Sequence, residues 1–582
     1  MGIPGITREI IKKYPDVAND SVVLAGSESD RKVLCIDFNP LIYNAYNVVS
    51  AARTAGNLSS ASISVAGVPT SSSVEDDIIK QVILELASLL DFYGHDSDDL
   101  YIAIDGTAPY AKIKQQRERR YKKAMYELLT GTSHVWDTSY IIPGTNFMNK
   151  LSSAISRFTS SLKRVCTFSD HNEPGEGEHK ILQFLKTQKP AYNVVHVYSN
   201  DGDMLVLLNR NGISTSNVSI ISDTDNSSSD IIKAYTSKYY TIDISRFSTL
   251  LLREISSMYL HGEYTVLTDS DSDSESDTPT NFCVSNQSVL DDFIFFMSLA
   301  GNDFVKPIVF TKMRDRDTFT LLITAYSEIL NRRKHNMTVT TDTFVHVNYD
   351  YLLDFFVALA KVEKYKMQSM AVNVSKVMAS PAKRATLGQE RETLEHTFIY
   401  SRSHPLFPVY AQDFAYVYNA SDDHQTRKDK YYNYFFSPTD SLKHVVQSYI
   451  RSMIFTFKYY TVSVPSWTYA YQYRVAPLPS DIVTVLRGMT PDEYAQLYVF
   501  DLGVVYPQSM QLMLALPKTK LAQDTQRKIS ASKRLTRVYP NLEDIHIDAV
   551  AEHKFIYCDP ILPEFTPGDI MALSQLNAPR SK

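Results

Sequence analysis

The 582-residue chain is poor in the features that would mark several common classes. It has four cysteines, Cys35, Cys166, Cys283 and Cys558, all far apart. No CxxC or Cys/His spacing suggests zinc, and no framework suggests disulfides. The thiol usage points to a reducing compartment. There is no excess of positive charge: 59 Lys and Arg against 65 Asp and Glu leave a net charge of −6. The chain is therefore not a globally basic nucleic-acid coat, and any polyanion must be met by a local basic patch. No apolar run approaches a membrane span. The start, MGIPGITREI, has no signal-peptide apolar region. Gly2 does not make a myristoylation site, because Ile6 stands where Ser or Thr is needed. No internal period is present. These absences predict a soluble, intracellular protein and leave nuclear or cytoplasmic residence open.

What is present is a large apolar fraction, 44%, enough for a real core and for two or more domains or one composite body. Tyrosine is abundant, 38 residues, and can serve both core and solvent. The first third alternates short β-branched or aromatic runs with longer stretches of helical periodicity. VLCIDF (33–38), YIAID (101–105) and VVHVY (194–198) are the strand-like runs, and EDDIIKQVILELASLLDFY is one of the helical ones. This alternation predicts an α/β fold with a central, mostly parallel sheet flanked by helices. In such sheets functional side chains gather beyond the carboxyl ends of the strands.

Seven carboxylates lie at such places. They are Asp37 in VLCIDFN, Asp105 in LYIAIDG, Glu176 and Glu178 in EPGEGEHK, Asp201 and Asp203 in NDGDMLVLL, and Asp303 in LAGND. Each motif alone is commonplace: GEGE is usually a surface turn, and D-x-D or GND often only caps a helix. Converging together, they would repel one another unless a cation sat among them. Oxygen-only ligands suit Mg²⁺ or Mn²⁺, and a pair of such ions is suited to cutting phosphodiesters. Directly after Asp105, the run from Lys112 to Lys123 has seven basic residues and one acid, Glu118. On a helix, Lys112, Gln116, Arg119 and Arg120 share one side. An isolated charge run is usually a solvated face. Beside a carboxylate cluster it becomes an anion pocket, since Lys and Arg hold phosphate oxygens by charge-assisted hydrogen bonds.

These segments, in this order, resemble the Xrn-type 5′→3′ exoribonuclease family. The likeness runs through MGIPG, KYP, IDFNPLIYN, AIDGTAPYAKIKQQRERR, PGTNFM, EPGEGEHKI, D-x-D and LAGNDF. It resumes with DKYY, Tyr459-Tyr460, PSWTYAYQYRVAPLPSD, QLMLALP and YPNLEDIHID. It extends from residue 1 to about 563. The resemblance implies a PIN/flap-nuclease-like catalytic domain over 1–330 and a second domain over 331–582 packed on it. It implies that Asp37, Asp105, Glu176, Glu178, Asp201, Asp203 and Asp303 hold two Mg²⁺ or Mn²⁺ ions. It further implies that Lys112, Gln116, Arg119 and Arg120 recognise a 5′-monophosphate, and that Gly2 and Pro4 belong to an N-terminal segment near the catalytic body. The implied substrate is single-stranded RNA with a 5′-monophosphate, cut by a monomer, with no membrane involved. Two positions depart from the family. Tyr43 stands where a His stacks on the first base, and Arg427 aligns with a Trp. A His–Trp base sandwich thus becomes Tyr–Arg, and both replacements can stack on a base. Trp467 and Tyr469 are expected to pack the second domain.

Two stretches stand apart. TDSDSDSESDTPT (268–280) has no apolar residue and is expected to be a disordered acidic insert that could attract a basic partner. The polar stretch 373–396 is expected to be a mobile connection, and the last two hundred residues, rich in aromatics and prolines, an irregular packed element. Other functions share parts of this pattern. A flap-type DNA nuclease has the same acidic core but needs a helix-hairpin-helix element, which is not seen after Asp303. A non-catalytic RNA-decay scaffold would be expected to have lost several of the acids.

Overall fold

The computed structural model describes residues 3–21, 30–54, 73–94, 98–131, 134–188, 191–208, 217–226, 229–258, 285–315, 317–341, 343–379, 416–548, 550 and 557–577. The acidic insert 268–280 lies outside them. So does 380–396, the larger part of the expected connection, whereas 373–379 continues a helix (Tyr349–Ala379). The chain forms two compact units. One comprises 1–109, 133–257 and 504–512, and the other 110–132, 258–503 and 513–582. This division differs from a single cut at residue 330.

The first unit is built on a seven-stranded sheet of order β1-β7-β6-β5-β2-β3-β4. The strands are β1 (Ala18–Asn19), β2 (Lys32–Asp37), β3 (Asp99–Ala103), β4 (Cys166–Ser169), β5 (Val194–Tyr198), β6 (Asn217–Asp223) and β7 (Tyr239–Asp243). Strands β2 to β6 pair in parallel, and β7 closes the sheet antiparallel to β6 and β1. The α/β expectation, a mostly parallel sheet flanked by helices, holds. Central β2 reads VLCID because it is covered on both faces, and five of its six residues are buried. The chain runs from β2 to β3 and β4 on one side, then returns across β2 to β5 and β6 on the other. The resulting switch point lies beyond the carboxyl ends of β2, β3 and β5.

In chain order the helices are α1 (Ile6–Lys13), α2 (Asn39–Thr54), α3 (Val74–Tyr93), α4 (Tyr110–Thr130), α5 (Asn146–Ser160), α6 (Gly177–Thr187) and α7 (Gly202–Leu208). All but α4 lie in the first unit. Side-chain caps start α3 at Ser73 and α5 at Thr145. Ser73 and Asp76 form a reciprocal capping box at α3, which ends at Gly94 in the left-handed region. Leu34, Ile36, Leu41, Ile42, Val82, Leu86 and Leu89 are fully buried and join β2, α2 and α3 in one core. Loss of a single Leu here, as in Leu86→Ala, should cost ~2–5 kcal/mol.

In the second unit α4 is anchored by part of its own basic run. Arg117 is buried and donates to the carbonyls of Pro563 and Val538, at 2.7 and 2.5 Å. Lys114 donates to the Tyr471 carbonyl and Lys122 to that of Cys558. The final two hundred residues are predominantly helical where described, contrary to the irregular element expected. The prolines explain the difference. Pro479 and Pro491 sit in the first turn of their helices, where a missing N–H costs nothing, and Thr490 with Glu493 caps the second. Tyr469 and Trp467 are half-buried: Tyr469 packs on Phe455 and Phe500, and the Trp467 backbone amide donates to the Leu502 carbonyl.

Candidate active site

Six of the seven predicted acids belong to the first unit, and four elements deliver them to its switch point. Asp37 ends β2, Asp105 follows β3 by two residues, Glu176 and Glu178 flank the first residue of α6, and Asp201 and Asp203 lie at the start of α7. Asp37, Glu176, Glu178 and Asp203 are buried, while Asp105 and Asp201 are half-buried.

Gly177 is the point on which this edge closes. Its amide donates to Asp105 Oδ1 at 2.7 Å. A Cβ at Gly177 would lie 2.8 Å from Asp37 Oδ1, 3.2 Å from the Ala103 carbonyl and 3.4 Å from Asp105 Oδ1. The two carboxylates therefore face one backbone position that only glycine can occupy at that distance. The preceding loop is equally tight. Gly106 donates to the Gly175 carbonyl and Gly175 to that of Thr107, so a Cβ at Gly106 would stand 1.7 Å from the Glu173 carbonyl oxygen. Behind Asp37, Ser199 Oγ donates to Oδ2 at 3.1 Å and accepts from the Asp201 amide at 3.1 Å. Asp201 Oδ1 accepts from the Asp203 amide, and Asp203 Oδ1 accepts from the Ile3 amide at 2.6 Å. One relay thus ties β2, α7 and the beginning of the chain.

Two residues of this edge were not singled out in the sequence. Asn39, in IDFNP, donates through Nδ2 to Asp105 Oδ2. Lys180, in GEHK, is buried and donates to the carbonyls of Ile104 at 2.8 Å and Asp170 at 2.7 Å. Burial pulls its ammonium down to about 8, against the opposing pull of Asp105, Glu173 and Asp170. The only cue was a lysine just after an acidic, Gly-rich turn.

The second unit holds Asp303 and the predicted phosphate helix. Lys112 Nζ lies 2.6 Å from Asp303 Oδ2, and Gln115 Nε2 lies 2.6 Å from Oδ1. Burial would raise the Asp303 carboxyl, but Lys112, with Arg119 adding to it, holds it below the usual carboxylate range. Gln116 and Arg120 are half-buried on α4 and Arg119 is exposed. Gln115 is another residue the sequence reading passed over. Tyr43, on α2, is 41% exposed and free to offer its ring. Arg427 is 1% exposed, and its guanidinium donates to Gln368 Oε1 and to the carbonyls of Asn419 and Asp422. That burial does not fit a base-stacking role. The position holds a structural arginine.

Among the described residues, no three His, Cys, Asp or Glu side chains stand together in ligating geometry. The donors present nonetheless fit a hard divalent cation. They are carboxylate oxygens only, and two of them, on Asp37 and Asp105, face the tight cradle at Gly177.

Comparison with known proteins adds a second line. The family described as XRN 5'-3' exonuclease N-terminus matches residues 1–221. The family described as Xrn1 helical domain matches residues 423–527. Among curated proteins, 5'-3' exoribonuclease 1 of Saccharomyces cerevisiae is 28% identical over 370 residues, covering 57% of this chain and 21% of that protein. 5'-3' exoribonuclease 2 of Candida glabrata is 27% identical over 394 residues, covering 58% and 36%. Human 5'-3' exoribonuclease 1 is 24% identical over 473 residues, covering 72% and 26%. The chain thus spans only 21% to 36% of these relatives' length. Among the described residues, no helix is long and apolar enough to cross a membrane.

Proposed function

Because the chain belongs to the Xrn-type family and its first unit has the PIN-like α/β fold, we propose that it is a 5′→3′ exoribonuclease that needs divalent cations and prefers RNA with a 5′-monophosphate. The observation that carries this reading is the convergence of Asp37 and Asp105 on Gly177 at the sheet's switch point, linked through Ser199 to Asp201 and Asp203.

In this proposal Asp37, Asp105, Glu176, Glu178, Asp201, Asp203 and Asp303 hold two Mg²⁺ or Mn²⁺ ions. When bound, such a pair lowers the pKa of an attacking water and stabilises the attacking and leaving oxygens of an in-line displacement. The chain's own residues do the rest. Asn39 and the Gly177 amide fix Asp105, Ser199 fixes Asp37, and Lys180 offsets part of the local negative charge. Lys112, Gln116, Arg119 and Arg120 receive the terminal phosphate. A 5′-hydroxyl end makes none of these contacts, at ~1–3 kcal/mol for each one lost. A triphosphate end is too large for a pocket that closes on one phosphate. Polarity follows, since only a free 5′ end sets its first phosphodiester beside the acids. Tyr43 stacks on a base.

The test is digestion of 3′-labelled RNA bearing monophosphate, triphosphate or hydroxyl 5′ ends, with Mg²⁺ and with chelator. The expected result is stepwise loss of the monophosphorylated RNA only, abolished by chelation. Equal rates on all three ends, or attack from the 3′ end, would overturn the proposal.

A further inference from the structure

Asp303 is satisfied at both oxygens by one turn of α4. Lys112 Nζ takes Oδ2 and Gln115 Nε2 takes Oδ1, each at 2.6 Å. The three-residue step places both donors on one face. The acid has little freedom to retreat. Asn302 Oδ1 accepts from the Phe304 and Val305 amides at 2.9 and 2.8 Å, and Gly301 turns the chain at φ +87 against the Pro307 ring. The pair is nearly closed to solvent, with side chains 11% and 7% exposed. A desolvated ammonium on a desolvated carboxylate is a strong local commitment.

Two claims meet on that one ammonium. Under the function proposed above, on which this inference rests, Lys112 also serves the 5′-terminal phosphate, and Asp303 also serves a divalent cation. We propose that Lys112 is an exchangeable counter-ion. It neutralises Asp303 while no cation is there, and turns to the terminal phosphate when a cation takes the carboxylate, so that cation and 5′-phosphate bind cooperatively. Gln115 is the positioning residue that keeps the Asp303 carboxylate aimed while its partner changes. A 5′-hydroxyl end gives the ammonium nowhere to go. Selection of the end then acts on cation affinity as well as on RNA affinity.

The test measures Mn²⁺ binding to the full-length protein by the paramagnetic signal of free Mn²⁺, with adenosine or adenosine 5′-monophosphate present. In the wild type, Mn²⁺ should bind about 5- to 150-fold tighter with the nucleotide, the range of ordinary coupling between sites. Lys112→Met should bind Mn²⁺ more tightly than wild type without nucleotide, and its ratio between the two conditions should fall to what direct phosphate–cation attraction leaves. Lys112→Arg should keep more of the coupling than Lys112→Met. Gln115→Leu should weaken Mn²⁺ binding equally in both conditions and leave the ratio unchanged. A wild-type ratio near one, with Mn²⁺ and nucleotide both bound, would overturn the coupling alone. An undiminished ratio in Lys112→Met would do the same. If neither Mn²⁺ nor nucleotide binds, the proposed function falls with it.

Discussion

Replacing Gly177 with alanine should separate activity from stability. The new methyl would sit 2.8 Å from Asp37 Oδ1 and 3.2 Å from the Ala103 carbonyl oxygen. Ordinary contact needs about 3.4 Å or more, so roughly half an ångström must be found. Ala103 is sheet backbone and Asp37 is backed by Ser199 Oγ, so neither recedes easily. The displacement falls on the Asp37 carboxylate and on the start of α6, which carries Glu176 and Glu178. Overpacking of this kind costs ~1–3 kcal/mol, while alanine in place of glycine in a helix returns roughly 0.5–1 kcal/mol. The net loss of stability should be about 1–2 kcal/mol. The rate should fall further, since a shift of about 1 Å in a catalytic group can cost ~100-fold. We expect a ten- to hundredfold loss, by that same scaling, in the initial rate on 5′-monophosphorylated RNA at saturating Mg²⁺, in a protein that still melts cooperatively. Gly106→Ala is the contrast: 1.7 Å from a backbone oxygen there is nothing to move, and the variant should fail to fold. A Gly177→Ala protein with wild-type rate and melting would refute the cradle.

Tyr43→Ala should raise the KM for RNA by about 5- to 150-fold, the range of ~1–3 kcal/mol per stacked base, with no change in melting temperature, and Tyr43→Phe should restore it. Arg427→Met should instead lower stability by ~2–4 kcal/mol, read by urea denaturation, because Gln368 and two carbonyls lose their donor. Asp203→Ala should abolish cleavage and also release the Ile3 amide, so limited proteolysis near residue 3 should quicken. Burial pushes Asp292 up to about 6, above its ordinary 3.8, against donors from Thr338, Met337 and Tyr326. Its folded carboxyl keeps a proton that the unfolded chain has released, so this stability is present below about pH 4 and lost as pH rises through 6. The difference in unfolding free energy between wild type and Asp292→Asn should fall by ~2 kcal/mol between pH 4 and 6.5.

The strands were legible because a parallel sheet buried on both faces writes itself as short apolar runs, and the acids because they stand at or just past the ends of such runs. Asp37 ends VLCID, and Asp201 follows VVHVY by three residues. What was not legible depends on distances across sequence. Gly177 reads as turn chemistry, and only the approach of Asp37, 140 positions earlier, makes it a cradle. Lys180 and Gln115 look like ordinary polar residues of a helix, and their partners are an Ile104 carbonyl and Asp303. The basic run looked uniform. Three of its members, Lys114, Arg117 and Lys122, turn to backbone carbonyls, and Lys112 turns to Asp303. Arg427 shows the limit of reading by alignment, because its place in the sequence says nothing of the burial that absorbs its guanidinium.

The Ile3–Asp203 bond also sets a clock. Its partners lie 200 residues apart, and edge strand β1 finds its register at Thr241 and Ile242. At ordinary elongation speeds of ~5–20 residues per second, about 10–40 s separate the synthesis of the two ends of that bond. Throughout that interval the start of the chain has emerged and has no seat. The acids from Asp37 to Glu178 likewise wait for α7. Translation of the growing polypeptide therefore passes position 203 before this carboxylate edge can close, and passes 242 before its sheet is complete.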